Sequence, residues 1–423
     1  MISTLRRRLC LTAPIAFAAS TSALAIPKGN IPVTVLHWWT SEGEQIAANC
    51  LQDHLKASNI QWMDMPIPGG GGMAAVKVLK SRVLMGAPPD AAQLIGTTLV
   101  DWADAGLVVP LNGVAAEHRW AQAISKTVQK KITHRGQTIA VPLGVHRINT
   151  LYVNKPVFQR FGLQPPTTWA EYEKVSSILR QQRVQPLAWS DQAWQIATVF
   201  ESVLLSYVGG EGYLRLMEER AFSQWMGGDV REALMRLRWL RSNSSNNPTE
   251  LTWTSSARLL KENRAAMMIM GDWVSGELQA WGSRPSVDFQ CYAVPETARM
   301  HLYSLDTLAM LKSPRQLQTT QEKMAEVLTS VAAQMDYNLA KGSVPVRNDI
   351  DPNALGECAR DSWLNFQDPK TIRVPSLAHR MVADEVTKDA VAKVLWRFIT
   401  LNVDVAEIQT RLAMIMRKTS ASN

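Results

Sequence analysis

The stretch Val33-Thr34-Val35-Leu36-His37-Trp38-Trp39-Thr40-Ser41-Glu42-Gly43-Glu44 joins two kinds of periodicity. Its first four residues are apolar or β-branched and read as a buried strand. Beyond it, Ile46, Ala47, Cys50, Leu51, His54 and Leu55 recur at helical spacing. The stretch is therefore a strand-to-helix turn, and in α/β sheets ligands bind where such turns gather, at the carboxyl ends of the strands. Paired tryptophans are costly to expose on a turn. They suit a ligand with an apolar face and a polar edge, as a sugar ring has. Ser41 and Glu44 also have capping-box spacing. The competing reading leaves Glu44 as a helix cap and both tryptophans in the core.

Upstream, Arg6-Arg7-Arg8, the apolar run 9–19 and Ala23-Leu24-Ala25 have the order of a secretory signal, with the mature chain starting at Ile26. Cys10 precedes most of the apolar run and is badly placed for a lipoprotein cysteine. No later stretch has the length of a membrane span, so a soluble exported protein without membrane insertion is expected. About 400 of the 423 residues remain, enough for two sizeable domains. The formal charge of +8 falls to +5 without the three signal arginines (8 − 3), and the basic residues are scattered, which argues against nucleic-acid binding. Cys50, Cys291 and Cys358 allow at most one intramolecular disulfide and leave a thiol. Neither they nor the seven scattered histidines form a metal site. The glycine run 69–72 lacks the Lys-Ser/Thr ending of a phosphate-binding loop, so no nucleotide and no other cofactor is expected.

Downstream, strands and helices alternate over the first 150 residues, as in an α/β layer. Ile60-Gln61-Trp62-Met63 and Ala91-Ala92-Gln93-Leu94-Ile95 read as strands, with a helix near Met73–Leu84 between them. Gln93 is either a ligand contact or strand filler. Residues 117–131 read as one polar-faced helix. Thr168 and Glu171 form a second capping-box pattern. Residues 193–208 and 212–226 read as separate helices, Met267-Met268-Ile269-Met270 as a buried strand, and helices dominate 319–340 and 378–418.

Trp38-Trp39-Thr40, Pro89-Asp90, Val141-Pro142, Leu151-Tyr152-Val153-Asn154-Lys155, Pro166-Thr167-Thr168-Trp169-Ala170-Glu171, Asn263-Arg264-Ala265-Ala266-Met267, Gly271-Asp272-Trp273 and Lys341-Gly342-Ser343-Val344-Pro345-Val346-Arg347 follow one another along the mature chain. Their order and spacing resemble the extracellular solute-binding proteins of ABC sugar importers, in the maltose-binding-like superfamily, and most closely the glucose/galactose-binding branch. The resemblance implies a type II periplasmic binding-protein fold with two α/β lobes, 26–143 with 304–342 and 144–303 with 343–423. It implies lobe closure over a cleft about crossings near 141–146, 296–305 and 341–346. It also implies a periplasmic, monomeric receptor for a small neutral sugar, glucose first, with ABC permease subunits as its partner.

Carried over residue by residue, the resemblance places Trp38, Trp39 and Glu44 on the sugar, with Glu42 as the rival glutamate. It adds His146, Trp273, Asp306, Lys341 and His379. Carboxylates accept sugar hydroxyl protons, lysine donates, and aromatic faces stack on C–H groups. Without the resemblance, His379 reads as a satisfied histidine, Lys341 as a solvated charge, Asp306 as a helix cap and Trp273 as core. Gly144 and Pro295-Glu296-Thr297 depart from the branch, which leaves room for another monosaccharide or a disaccharide. The rival class is a secreted carbohydrate hydrolase, which needs two carboxylates across one scissile bond. Glu42, Glu44 and Asp306 are candidates, but no spacing fixes that geometry, and the resemblance is to receptors without catalysis.

Overall fold

The computed structural model describes residues 30–69, 72–244 and 251–420. The expected signal at 1–25, Gly70, Gly71 and most of the Ser/Asn/Pro-rich stretch 241–249 lie outside the described residues. In chain order the strands are β1 (Ile31–His37), β2 (Ile60–Pro66), β3 (Ala91–Gln93), β4 (Thr133–His134), β5 (Gln137–Thr138), β6 (Val141–Arg147), β7 (Thr150–Asn154), β8 (Gln185–Leu187), β9 (Ala265–Met270), β10 (Phe289–Ala293), β11 (Met300–Met310) and β12 (Ile372–Pro375).

The first sheet has the order β12-β11-β3-β1-β2, with β6 also paired to β11. β1 is parallel to β2 and β3, and β11 is antiparallel to β3 and β6. Alternation along β1 decides which helices cover which face. Val33 and Val35 pack with Leu51 and Leu55 of the helix Glu42–Lys56 and with Leu328 and Tyr337 from the helices Gln318–Leu328 and Val331–Lys341. Leu36 faces the opposite way, onto Val76 and Leu79 of the helix Met73–Leu84 and Leu99 of the helix Gly96–Asp104.

The second sheet has the order β10-β7-β9-β8 and sits in its own apolar core. Every residue of β9 is buried, as expected of a central strand with both faces covered. The chain passes between the sheets directly after β6 and again between β10 and β11. Val344 adds a bridge to Val145 at the same place. Residues 344–366, in the stretch expected of the second lobe, supply Val344, Val346, Trp363 and Phe366 to the first core, and β12 pairs with β11.

Three local expectations change. Residues 112–132 form three short helices, Asn112–Glu117, Trp120–Ala123 and Lys126–Ile132, rather than one over 117–131. The tertiary reason is that Ser125 N bonds to Val346 O (3.1 Å) and Asn348 N to Ala123 O (2.7 Å), which draws backbone out of helical pairing. The helices expected over 193–208 and 212–226 are one element, Ala193–Glu219, kinked at Gly209 (φ 68°), followed by the short Phe222–Trp225. The last helical run starts at Glu385, capped by Asp384, so His379 lies in the turn before it. Cys291 on β10 and Cys358 on the helix Glu357–Gln367 are disulfide-bonded, and among the described residues Cys50 is the free thiol.

Candidate functional site

β1 ends in the turn that carries Trp38 and Trp39 to a cavity between the two sheets, about 80 Å³ in size and partly open to solvent. The turn is fixed from below by His37, whose Nε2 pairs with Asp64 Oδ1 (2.6 Å) and whose Nδ1 accepts from Trp39 N (3.2 Å). It is fixed from above by the capping box. Ser41 Oγ accepts from Glu44 N, while Glu44 Oε2 accepts from Thr40 N (3.0 Å) and Ser41 N (3.2 Å). The cap uses only one carboxylate oxygen. The other, Oε1, accepts from Lys341 Nζ at 2.8 Å.

All the sequence-derived candidates except Glu42 and Gln93 line the cavity: Trp38, Trp39, Glu44, His146, Trp273, Asp306, Lys341 and His379. Glu42 is exposed, on the outward side of its helix. Gln93 is buried one layer behind. Its Oε1 accepts from Trp38 N (3.2 Å) and its Nε2 donates to Asp306 Oδ1 (2.9 Å), so it ties the tryptophan turn to β11. Trp39 is 1 % exposed, stacked on His37 at 5.0 Å, whereas Trp38 is half-buried beneath the Arg380 guanidinium at 5.4 Å.

Asp306 stands where the β6–β11 register shifts, a bulge that re-aims the side chains around it. It accepts from Gln93, from Tyr337 OH (2.7 Å) and from His146 Nε2 (3.0 Å). His146 Nδ1 lies 2.5 Å from Asp272 Oδ1. Burial alone lowers the imidazole, but Asp272 and Asp306 outweigh it and raise His146 to about 9. Burial likewise raises Asp306, and the imidazolium, Lys341 and the Tyr337 hydroxyl more than reverse this, holding it well below the usual carboxylate range. Both ring nitrogens of His146 are thus committed to carboxylates. Beside Gly144, the Asn338 side chain fills the available space and bonds to Leu143 O (2.9 Å).

His379 is neutral, pushed down to about 3 by burial and by neighbouring cations. Thr198 Oγ1 donates to Trp194 O (2.8 Å), so it accepts from His379 Nε2–H (3.1 Å). That assignment leaves Nδ1 as an acceptor.

Trp194, Trp253, Thr40, Ile95 and Ser304 also line the cavity and were not singled out from sequence. A signal for the tryptophans exists. Trp38 and Trp39 stand in the turn just before the helix Glu42–Lys56, while Trp194, Trp253 and Trp273 lie within the first two residues of the helices Ala193–Glu219, Trp253–Lys261 and Trp273–Ala280. Among the described residues, the indole Nε1 groups of Trp39 and Trp194 have no hydrogen-bond partner.

The two sides meet tightly here. Gly43 N donates to Glu277 Oε2 (2.9 Å), and a Cβ on Gly276 would lie 2.5 Å from Ala340 O. Hydrolysis of a glycosidic bond needs two carboxylates free to act across it. Here Glu42 is outside, Asp306 accepts from three donors, and Glu44 is divided between a cap and Lys341.

A family model for bacterial extracellular solute-binding proteins matches residues 52–298. The "probable sugar-binding periplasmic protein" of Rhizobium meliloti (strain 1021) is 32% identical over 94% of this chain and 96% of its own length. Among solved structures, a bacterial solute receptor with an exclusive preference for β-D-galactopyranose superposes with a TM-score of 0.79 at 17% identity, over 93% of this chain and 100% of that one. A maltose-bound Thermotoga maritima protein does so with a TM-score of 0.74 at 16% identity, over 92% and 100%. These superpositions show the two-lobed type II fold with its cleft between the lobes. The chain belongs to the bacterial extracellular solute-binding proteins, a family of transport receptors without catalytic activity.

Proposed function

We propose that the cavity binds a small neutral sugar of one or two rings and that the protein delivers it to an ABC importer. The observation that carries this reading is the pairing of charges along a tryptophan wall. Glu44 is matched by Lys341, His146 by Asp272 and Asp306, and His379 is neutral, so no lining charge waits for an ionic ligand. What the wall offers is aromatic face, the Glu44–Lys341 pair and the Nδ1 acceptor of His379. A polyol ring presents C–H faces to the first and hydroxyls to the others.

Glucose, the first expectation, is one member of this class. The structural neighbours are described with galactopyranose and with maltose, so the wider alternative has the better support. In direct contact with the sugar we place Trp38, Glu44, Trp273, Lys341 and His379, with Trp39 packed behind Trp38 against His37 and Tyr337. Asp306, His146 and Gln93 act behind them. The lobes divide at the crossings between β6 and β7 and between β10 and β11, and close about these. The receptor works as a periplasmic monomer released after Ala25, and its closed form engages the permease.

Calorimetry of the mature protein against hexoses, pentoses and disaccharides tests this. Stoichiometric binding of a neutral sugar, recovered unchanged, is expected. Tight binding only of amino acids or polyamines, or turnover of the sugar, overturns it.

A further inference from the structure

We propose that Glu201 is a positioning residue of the sugar site, acting through the turn at 376–380 to hold His379 and Arg380 in place; this rests on the sugar-receptor reading above. Glu201 lies inside the long helix Ala193–Glu219, 1 % exposed, and does not line the cavity. A carboxylate buried in an apolar core is unfavourable unless donors meet its oxygens. Four do: Ser376 Oγ on Oε1 (2.6 Å), and Leu377 N (2.8 Å), Ala378 N (3.1 Å) and Tyr213 OH (3.3 Å) on Oε2. None is a cation. Three of the four belong to one turn of chain, which is therefore wrapped on this single side chain.

The turn relays that anchoring into the site. Ser376 Oγ, held by Glu201, accepts from His379 N (2.9 Å). Thr198, three residues before Glu201 on the same helix face, accepts from the His379 ring. One helix thus fixes the histidine at its backbone and at its imidazole. The ring stands edge-on to Trp273 at 5.3 Å, in the cavity wall.

The next residue, Arg380, is a non-glycine residue at φ 61°. That left-handed state persists when surroundings over-determine it. Here Glu201 fixes one side, and on the other Arg380 O accepts from Thr97 N (3.0 Å) while its guanidinium covers Trp38. The buried carboxylate of one lobe therefore reaches a sugar-facing tryptophan of the other through five residues of chain.

The test is a double-mutant cycle on the mature protein, with the best sugar of the panel, by calorimetry at pH 8, above the value of about 7 to which burial pushes Glu201. Glu201→Gln turns an amide N–H₂ toward converging donors. It should weaken binding about tenfold, the scale of one lost hydrogen bond to a charged group. In a His379→Ala background, itself weaker than wild type, the same change should cost clearly less than tenfold, because the histidine route is already gone and only the route through Arg380 to Trp38 remains. A role in stability alone lowers the unfolding midpoint in both backgrounds and leaves affinity unchanged. Ser376→Ala removes one donor and should follow the same cycle at about threefold, which keeps the test intact if Glu201→Gln does not fold. Wild-type binding with unchanged affinity in these variants, or equal losses in both backgrounds, overturns the proposal alone. Absence of sugar binding by the wild type overturns the receptor reading, and this proposal with it.

Discussion

Lys341 Nζ donates to Glu44 Oε1 at 2.8 Å, joining the last residue of the helix Val331–Lys341 to the first turn of the helix Glu42–Lys56. Lys341 is 3 % exposed. The pair therefore holds an ammonium that burial alone would disfavour. Glu44→Gln keeps an oxygen for the cap but leaves that ammonium without its carboxylate, and should cost about 3 kcal/mol of stability as well as sugar affinity. Adding Lys341→Met should restore most of the stability and none of the affinity. Denaturant midpoints and dissociation constants of the single and double variants check this. Full recovery of binding in the double variant removes the pair from the site.

Trp38 and Trp39 should separate. Trp39 is buried against His37 and Tyr337, so Trp39→Ala should show mainly as lost stability, about 3–5 kcal/mol. Half-buried Trp38 should show mainly as lost affinity, about 1 kcal/mol or more for a ring stacked on a sugar. Equal stability losses with unchanged dissociation constants would make both tryptophans core.

The imidazolium between Asp272 and Asp306 gives the protein a pH signature. The folded value of about 9 lies above the ordinary 6.5. A raised value contributes stability that is complete below about pH 6.5 and is lost as pH rises through 9. The loss should be about 3 kcal/mol between pH 6 and 9.5. His379 acts oppositely: its lowered value loses stability as pH falls from 6.5 toward 3. Urea midpoints measured over pH 6–9.5 should fall in the wild type and fall much less in His146→Gln, where the raised Glu201 still loses stability as pH rises through about 7. A parallel fall in both refutes the assignment.

The Cys291–Cys358 bridge joins the edge strand β10 of the second sheet to a helix whose Trp363 and Phe366 enter the first core. It closes a loop with a sequence separation of 67. Loop entropy of that length corresponds to about 4 kcal/mol. Unfolding with and without a phosphine reductant, and of Cys291→Ser, should show a loss of that order. An unmoved midpoint counts against a structural role.

Much of this site was legible because its residues sit on sequence features with a physical cause. The change of period after Leu36 marked the strand-to-helix turn, and Ser41 with Glu44 marked the cap. Gln93 was legible only as an ambiguity, since strand alternation tells which face a side chain takes and not whether another layer covers it. Asp306 and His146 lie 160 residues apart in the chain, and their mutual commitment follows from β6 pairing with β11, which no local pattern encodes. Trp194 and Trp253 are hidden among fifteen tryptophans because, unlike Trp38 and Trp39, they do not stand between a clear strand pattern and a capping box. Residues 112–132 misled because backbone pairing of 123–125 with 346–348 overrides a helical pattern.

The contact of Gly276 with Ala340 offers the sharpest test of lobe closure. Gly276 lies within the helix Trp273–Ala280, where alanine is intrinsically better than glycine by about 1 kcal/mol. A Cβ there would nonetheless lie 2.5 Å from the carbonyl oxygens of Ala340 and Lys341, so the helix must move away from the wall that carries Lys341. Gly276→Ala should therefore leave each lobe intact and disfavour the arrangement that brings Trp273 and Glu277 against the helix Glu42–Lys56. A state populated only as a fraction lowers apparent affinity by that fraction, so a weakening of about tenfold is expected if closure becomes tenfold rarer. Small-angle scattering should show the free variant at least as extended as the free wild type, and both compacting at saturating sugar. Unchanged affinity in Gly276→Ala, or a radius of gyration that ignores saturating sugar in the wild type, removes closure at this contact from the mechanism.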